Sequence, residues 1–166
     1  TGALASLGRA GQPPAIPLNI VGDIGGGALY LAFGMLAAML EASKSGQGQV
    51  VDAAIVDGAA SLMTMLYGLY AAGIVKAERG TNAMDGGAPF YDAYQCADGK
   101  WVAIGPIEAR FYAELLRLME IDPARMGVQN DRATWARQKA ILTERFAQKT
   151  RDEWCQLMEG SRSEER

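Results

Sequence analysis

The chain of 166 residues contains no histidine. That absence excludes Ser–His and Cys–His nucleophilic pairs and every histidine metal site. Acid–base chemistry by this chain must therefore use carboxylates, tyrosines or lysines. Cysteine is scarce: Cys96 and Cys155 stand alone, too few for a disulfide framework, which points to a reducing, cytoplasmic setting. No metal site is expected. An excess of positive charge is also missing, since 16 Lys and Arg face 19 Asp and Glu for a net charge of −3. The basic residues are scattered, so neither nucleic acid nor a membrane surface is an expected partner. No basic segment precedes an apolar stretch near Thr1, and no secretory leader is expected. Charge is absent between Asp23 and Glu41, but that run lies at the lower edge of a membrane span, opens with glycines and is rich in alanine. A buried central helix is the expectation.

What the chain does contain is enough apolar material for a core, 49% of residues, against 21% charged. Its organising stretch is Asn19-Ile20-Val21-Gly22-Asp23-Ile24-Gly25-Gly26-Gly27, followed by the apolar run 28–40. One carboxylate stands at the mouth of three glycines, before a hydrophobic helix. A helix start offers unpaired backbone N–H groups and the positive end of the dipole, which favour an anion. Glycines permit close approach of a ligand to the backbone. The plainer reading makes Asp23 an N-cap and the glycines a turn.

Pro13, Pro14 and Pro17 impose an extended connection before this stretch. Residues 24–43 read as a helix apolar on most faces, ended by the turn residues Ser45-Gly46-Gln47-Gly48. Residues 49–54 read as a short strand and 55–73 as a second apolar helix with a Met and Tyr stripe, either core or an adaptable wall for an acyl chain. Residues 76–89 form a loop between two structural units. The alternating, aromatic segment 90–96 is a strand, Ala97-Asp98-Gly99-Lys100 a hairpin turn, and 101–105 the returning strand. Pro106 opens a helix to about Glu120 with Phe111, Leu115, Leu116 and Leu118 on its apolar face. Asp131 caps a helix to about Gln148, and Thr150 with Glu153 forms a capping box for a last helix.

The series Leu18–Gly27, Gly46–Ala53, Asp85–Asp92, Tyr94–Gly99, Ile107-Glu108 and Gln129–Arg132 resembles the family III CoA-transferases, in particular their alpha-methylacyl-CoA racemase branch. The pieces run in order to about Gly160, and together they are specific. The resemblance implies an α/β fold: a helix–strand–helix core with the catalytic aspartate over 1–75, part of a large domain. A linker over 76–89 would follow, then a smaller α+β unit with a β-hairpin over 90–160 and a frayed tail over 161–166.

The chemistry so implied is exchange of the α-proton of a 2-methylacyl-CoA thioester through an enolate. Asp23 matches the family's catalytic aspartate. Asn19 would orient the site and, with Gly25, Gly26 and Tyr91, contact the substrate. Glu108 would support the partner base, although a helix-start acid is common without any such role, and Tyr91 could equally be cross-strand packing. That partner base is a histidine in the family, and this chain has none. CoA would be part of the substrate, with no separate cofactor, and the family implies an interlocked homodimer. The alternatives are a CoA transferase that uses Asp23 as nucleophile, and a fragment without catalysis. Glu108 and the single glycine of Ala103-Ile104-Gly105-Pro106-Ile107-Glu108 favour the racemase.

Overall fold

The structure is a computed structural model describing residues 1–161, 164 and 165. It divides into two compact units, one of Thr1–Gly8 with Gln12–Glu78, the other of Arg9–Gly11 with Arg79–Arg166. The fold class is mixed α/β, as expected, with all the strands in the second unit.

The first unit is helical. After the single turn α1 (Ala3–Ser6), a π-helix spans Ile20–Ala28 and runs directly into α2 (Leu29–Ser45). The wide turn is marked by the Ile24 N–H donating to the Asn19 carbonyl five residues back, at 3.1 Å. The helix thus begins earlier than the expected residue 24, and in a rarer form. Gly46, at φ 72°, closes α2, with its N–H bonded to the Ala42 carbonyl. The expected helix over 55–73 is two, α3 (Ile55–Leu62) and α4 (Thr64–Ala71), broken where the Met63 N–H bonds only three residues back, to Ala60.

Two expectations fail here. Residues 49–54 form no strand, because no described residue of this unit offers a partner to the backbone. Nor is α2 buried: none of its residues is, and Phe33 at 76%, Leu36 at 66% and Met39 at 66% exposure face outward. Val51 lies against Gly34, its Cγ1 2.8 Å from the place of a Cβ there, and Tyr30 donates to Ser61 at 2.7 Å, but the larger apolar side chains of α2 remain exposed. The joined segment Ile20–Ser45 is long and apolar enough to cross a membrane by length and composition alone, a test that core helices also pass.

The second unit carries an antiparallel hairpin of β1 (Asp92–Gln95) and β2 (Trp101–Ile104), paired Asp92 to Ile104 and Gln95 to Trp101. Gly99, at φ 75°, makes its turn. Phe90 and Tyr91 precede the strand rather than belonging to it. Helix α5 (Ala109–Leu118) starts after Glu108, not at Pro106, because Pro106 and Ile107 are committed to a loop. Its buried face is Tyr112, Leu115 and Leu116, continued by Met119, one position round from the expected stripe. Then come α6 (Pro123–Met126), a 3₁₀ turn at Arg132–Thr134 capped by Asp131, and α7 (Trp135–Phe146). Helix α8 (Arg151–Met158) begins with the expected Thr150–Glu153 capping box. Of the expected frayed tail, Arg162, Ser163 and Arg166 lie outside the described residues, while β3 (Glu164–Glu165) pairs with β2.

The core of this unit lies between hairpin and helices. Phe90, Leu115, Met119, Leu142, Phe146, Trp154 and Met158 are fully buried, each such side chain contributing about 1.5–3 kcal/mol. Tyr94 stacks on Phe146, and Phe146 meets Trp154 edge to face at 5.3 Å. The Trp154 indole N–H donates to the Phe146 carbonyl at 2.9 Å, so the ring is buried without an orphaned donor.

Candidate active site

Asp23 is the fourth residue of the π-helix and is exposed. It is not the N-cap; Asn19 holds that place, without a side-chain cap bond. No described residue pairs with the Asp23 carboxylate, which leaves both oxygens open to solvent or ligand. The backbone N–H groups of Val21, Gly22 and Asp23 precede the hydrogen-bonded ladder that starts at Ile24, so the surroundings are electropositive.

The glycines serve the helix more than the open side. Gly26 and Gly27 are buried. A Cβ on Gly26 would stand 2.7 Å from the Ala59 backbone nitrogen, and one on Gly27 3.0 Å from Ile55 Cγ1. On the facing helix, a Cβ on Gly58 would lie 1.8 Å from the Gly26 carbonyl oxygen. The π-helix and α3 are therefore packed backbone to backbone. At Gly25 the Cβ position is tight as well, 3.1 Å from Leu62 Cδ1. The Cβ side of Gly25 and Gly26 is thus occupied by the protein itself. Asp57 is a first-turn acid of α3 rather than its cap.

In the second unit the structure brings Tyr91 beside the loop that carries Glu108. The Tyr91 ring lies 3.6 Å from the place of a Cβ on Gly105, at the end of β2. Tyr91 keeps 38% of its surface exposed, so it packs across the strands and still presents an edge outward. Glu108 is the N-cap residue of α5, with extended backbone. Its carbonyl accepts from the Phe111 and Tyr112 N–H groups at 3.0 Å, while its exposed side chain takes no part in capping. Gln129 fixes the preceding loop by donating from Nε2 to the carbonyls of Pro106 (3.1 Å) and Ile107 (3.0 Å).

Tyr94 and Tyr112 lie beneath this surface. Burial, then the nearby Asp92 charge, raises the Tyr94 phenol far above the ordinary tyrosine range. Burial pushes Tyr112 up to about 12. Both stay protonated near neutrality and cannot serve as bases there.

Sequence reasoning missed the residues that shape the loop before Tyr91. Asp85 accepts from the backbone N–H groups of Gly80 (2.9 Å), Asn82 (2.8 Å) and Gly87 (3.1 Å) and from the Asn82 side chain. An Asp followed by two glycines is a turn signal that could have revealed it. Asp92 is paired with Lys139 of α7 at 2.6 Å and with Arg9. Nothing local in the sequence marks that partnership. Among the described residues no three His, Cys, Asp or Glu side chains gather as a metal site.

The fold is shared with a solved hypothetical protein from Mycobacterium tuberculosis, at a TM-score of 0.68 and 24% identity, over 98% of this chain and 43% of that one. Residues 1–163 match the family model of CoA-transferase family III, and the chain belongs to that family. Two similar curated relatives are both named alpha-methylacyl-CoA racemase. The one from Mus musculus is 41% identical over 97% of this chain, and the one from Homo sapiens 38% identical over the same share. The chain spans 42% of the length of each.

Proposed function

We propose that this chain carries the aspartate half of a 2-methylacyl-CoA racemase site. The carrying observation is Asp23: an exposed carboxylate without a partner among the described residues, set on a π-helix that packs backbone to backbone against α3 at Gly26 and Gly58. The 41% identity to a racemase over nearly the whole chain supports the substrate class.

In this reading an Asp23 oxygen takes the α-proton of the thioester. The C–H electron pair moves into the carbonyl as an enolate, and hydrogen-bond donors stabilise the oxyanion. A proton then returns to the opposite face from a second group. This chain has no histidine for that step, and Glu108 acts by supporting the second base. Asn19, Gly25 and Gly26 of the first unit and Tyr91 of the second are the substrate-contacting residues in this reading. CoA enters as part of the substrate and no other cofactor is needed. The first unit belongs to the parent's large domain and the second to its small one. The bare apolar faces of α2 suit an interlocked homodimer, and the protein is cytoplasmic, without a nucleic-acid or membrane partner.

The test is α-proton exchange of a 2-methylacyl-CoA in deuterated water, in the chain and in the full-length protein, with Asp23→Asn as control. Exchange abolished by the substitution supports Asp23 as the working base; exchange undiminished in Asp23→Asn overturns it. The family's own description favours a second reading, acyl transfer. There an Asp23 oxygen attacks the thioester carbonyl, a mixed anhydride forms and CoA leaves as its thiolate. Hydroxylamine would trap that anhydride as a hydroxamate at Asp23, whereas the racemase leaves the carboxylate unmodified.

A further inference from the structure

Asp92 is the next residue after Tyr91, and its side chain is only 6% exposed. Each of its oxygens holds one cation. Oδ2 accepts from Lys139 Nζ at 2.6 Å, and Oδ1 accepts from Arg9 and from the Ala93 N–H at 2.8 Å. Lys139 Nζ also donates to the Gly86 carbonyl at 2.5 Å, which ties α7 to the loop closed by Asp85. Gly86, at φ 84°, lies directly over the Arg9 guanidinium: a Cβ there would stand 2.6 Å from Nη1. One buried carboxylate thus joins three separate stretches of chain immediately beside the exposed tyrosine. Surface pairs contribute little, but a buried carboxylate that loses its cation leaves a charge without compensation. The arrangement has one geometry in which every charge is met.

We propose that the Arg9–Asp92–Lys139 network positions Tyr91, and through it the acyl-thioester surface of the second unit. The proposal rests on the racemase reading for its substrate. None of the three residues touches substrate in this account. They fix the backbone at 86 and 92, and so the direction in which the Tyr91 ring leaves it over Gly105. Loss of one cation lets the loop relax and loosens Tyr91 without removing Asp23 or Glu108. Substrate binding suffers, while proton transfer within the bound complex is largely retained.

The experiment measures KM and kcat for 2-methylacyl-CoA exchange in the full-length protein, with Lys139→Met, Lys139→Arg, Arg9→Gln and Tyr91→Ala. Lys139→Met is expected to raise KM about tenfold with kcat within about twofold, the scale of a displaced contact. Lys139→Arg restores most of the loss, and Arg9→Gln shifts KM in the same direction. Lys139→Met combined with Tyr91→Ala raises KM no further than Tyr91→Ala alone, because both act through one ring. An unchanged KM in Lys139→Met, or additive effects in the double variant, overturns the proposal. The racemase reading fails separately, by absence of exchange in the wild type. In that event the ¹⁹F signal of 3-fluorotyrosine at position 91, assigned by its loss in Tyr91→Phe, still decides. A shift in Lys139→Met and recovery in Lys139→Arg support the coupling, and an unmoved signal removes it.

Discussion

Gly58 of α3 rests against the backbone of Gly26 so closely that a methyl group at 58 would stand 1.8 Å from the Gly26 carbonyl oxygen. No rotamer relieves that overlap, because both sides are main chain. Gly58→Ala is expected to destabilise the first unit by about 3 kcal/mol or more, the upper range for overpacking. It should also displace the π-helix and with it Asp23. Gly68 in α4 provides the contrast, since nothing lies within 4 Å of its Cβ position. Gly68→Ala should stabilise by about 0.5–1 kcal/mol through the lower entropy of the unfolded chain. Urea unfolding followed by circular dichroism measures both, and equal effects at 58 and 68 would falsify the packing argument.

Tyr112 has a buried hydroxyl with no hydrogen-bond partner. An unmade bond of this kind costs about 1–3 kcal/mol, so Tyr112→Phe should be neutral or stabilising at pH 7. The alkaline limb follows from the phenol raised by burial to about 12. The folded state keeps its proton above the unfolded value near 10, so the contribution is intact below about pH 10 and is lost as pH rises through about 12. Tyr94, raised in the same direction, acts alongside it. Tyr112→Phe should therefore retain more of its neutral-pH stability at pH 11 than the wild type, without abolishing the alkaline loss. Thermal unfolding at pH 7 and pH 11 makes the comparison; a steeper alkaline loss in the variant contradicts it.

The start of α8 was legible because both halves of its signal lie within four residues, and so was the hairpin turn at Gly99. The strand expected over 49–54 was not, because a strand exists only with a partner, and no pattern in Gln49–Ala54 says whether one is present. The apolar face of α5 was misplaced by one residue since Phe111 and Tyr112 are equally apolar neighbours, and only the core chooses between them. Asp23 was singled out by its setting among glycines, and the structure places it exposed on the π-helix. Asp92 with Lys139 was not singled out, since the partners meet only once α7 packs on the hairpin. The glycines were read as places where a ligand can approach the backbone; the close approach visible in the structure at Gly26 is that of α3.

In the capping box the Glu153 carboxylate accepts from the Thr150 N–H and hydroxyl, at 2.8 and 2.7 Å. Those bonds hold Glu153 below the usual carboxylate range. A depressed folded value means that the contribution is present above the unfolded value, near 4.3, and disappears as pH falls through the folded one. Thr150→Ala is expected to cost about 1 kcal/mol. Glu153→Gln should lower Tm at pH 7, and the gap to the wild type should narrow below pH 4. A gap that stays constant down to pH 3 would show that the carboxylate is not involved.

Gln129 offers the most direct control over Glu108. Its amide donates to the two carbonyls that precede Glu108, while its own carbonyl accepts from the Trp135 indole at 2.9 Å, a main-chain bond that side-chain replacement leaves in place. Pro106 is buried, so its carbonyl is poorly placed to recruit water instead. Gln129→Ala should cost the second unit about 1–2 kcal/mol and let the Glu108 loop move. Gln129→Glu is nearly isosteric, but an ionised carboxylate cannot donate and would face two carbonyl oxygens. It should be the more damaging of the two in stability above pH 5, with recovery on acidification as the carboxyl regains a proton to donate. Exchange activity in the full-length protein should fall with both, while Gln129→Asn, too short to reach both carbonyls, falls between wild type and alanine. If Gln129→Glu is as stable and active as the wild type at pH 7, the amide does not hold the loop, and the orientation of Glu108 is set by α5 alone.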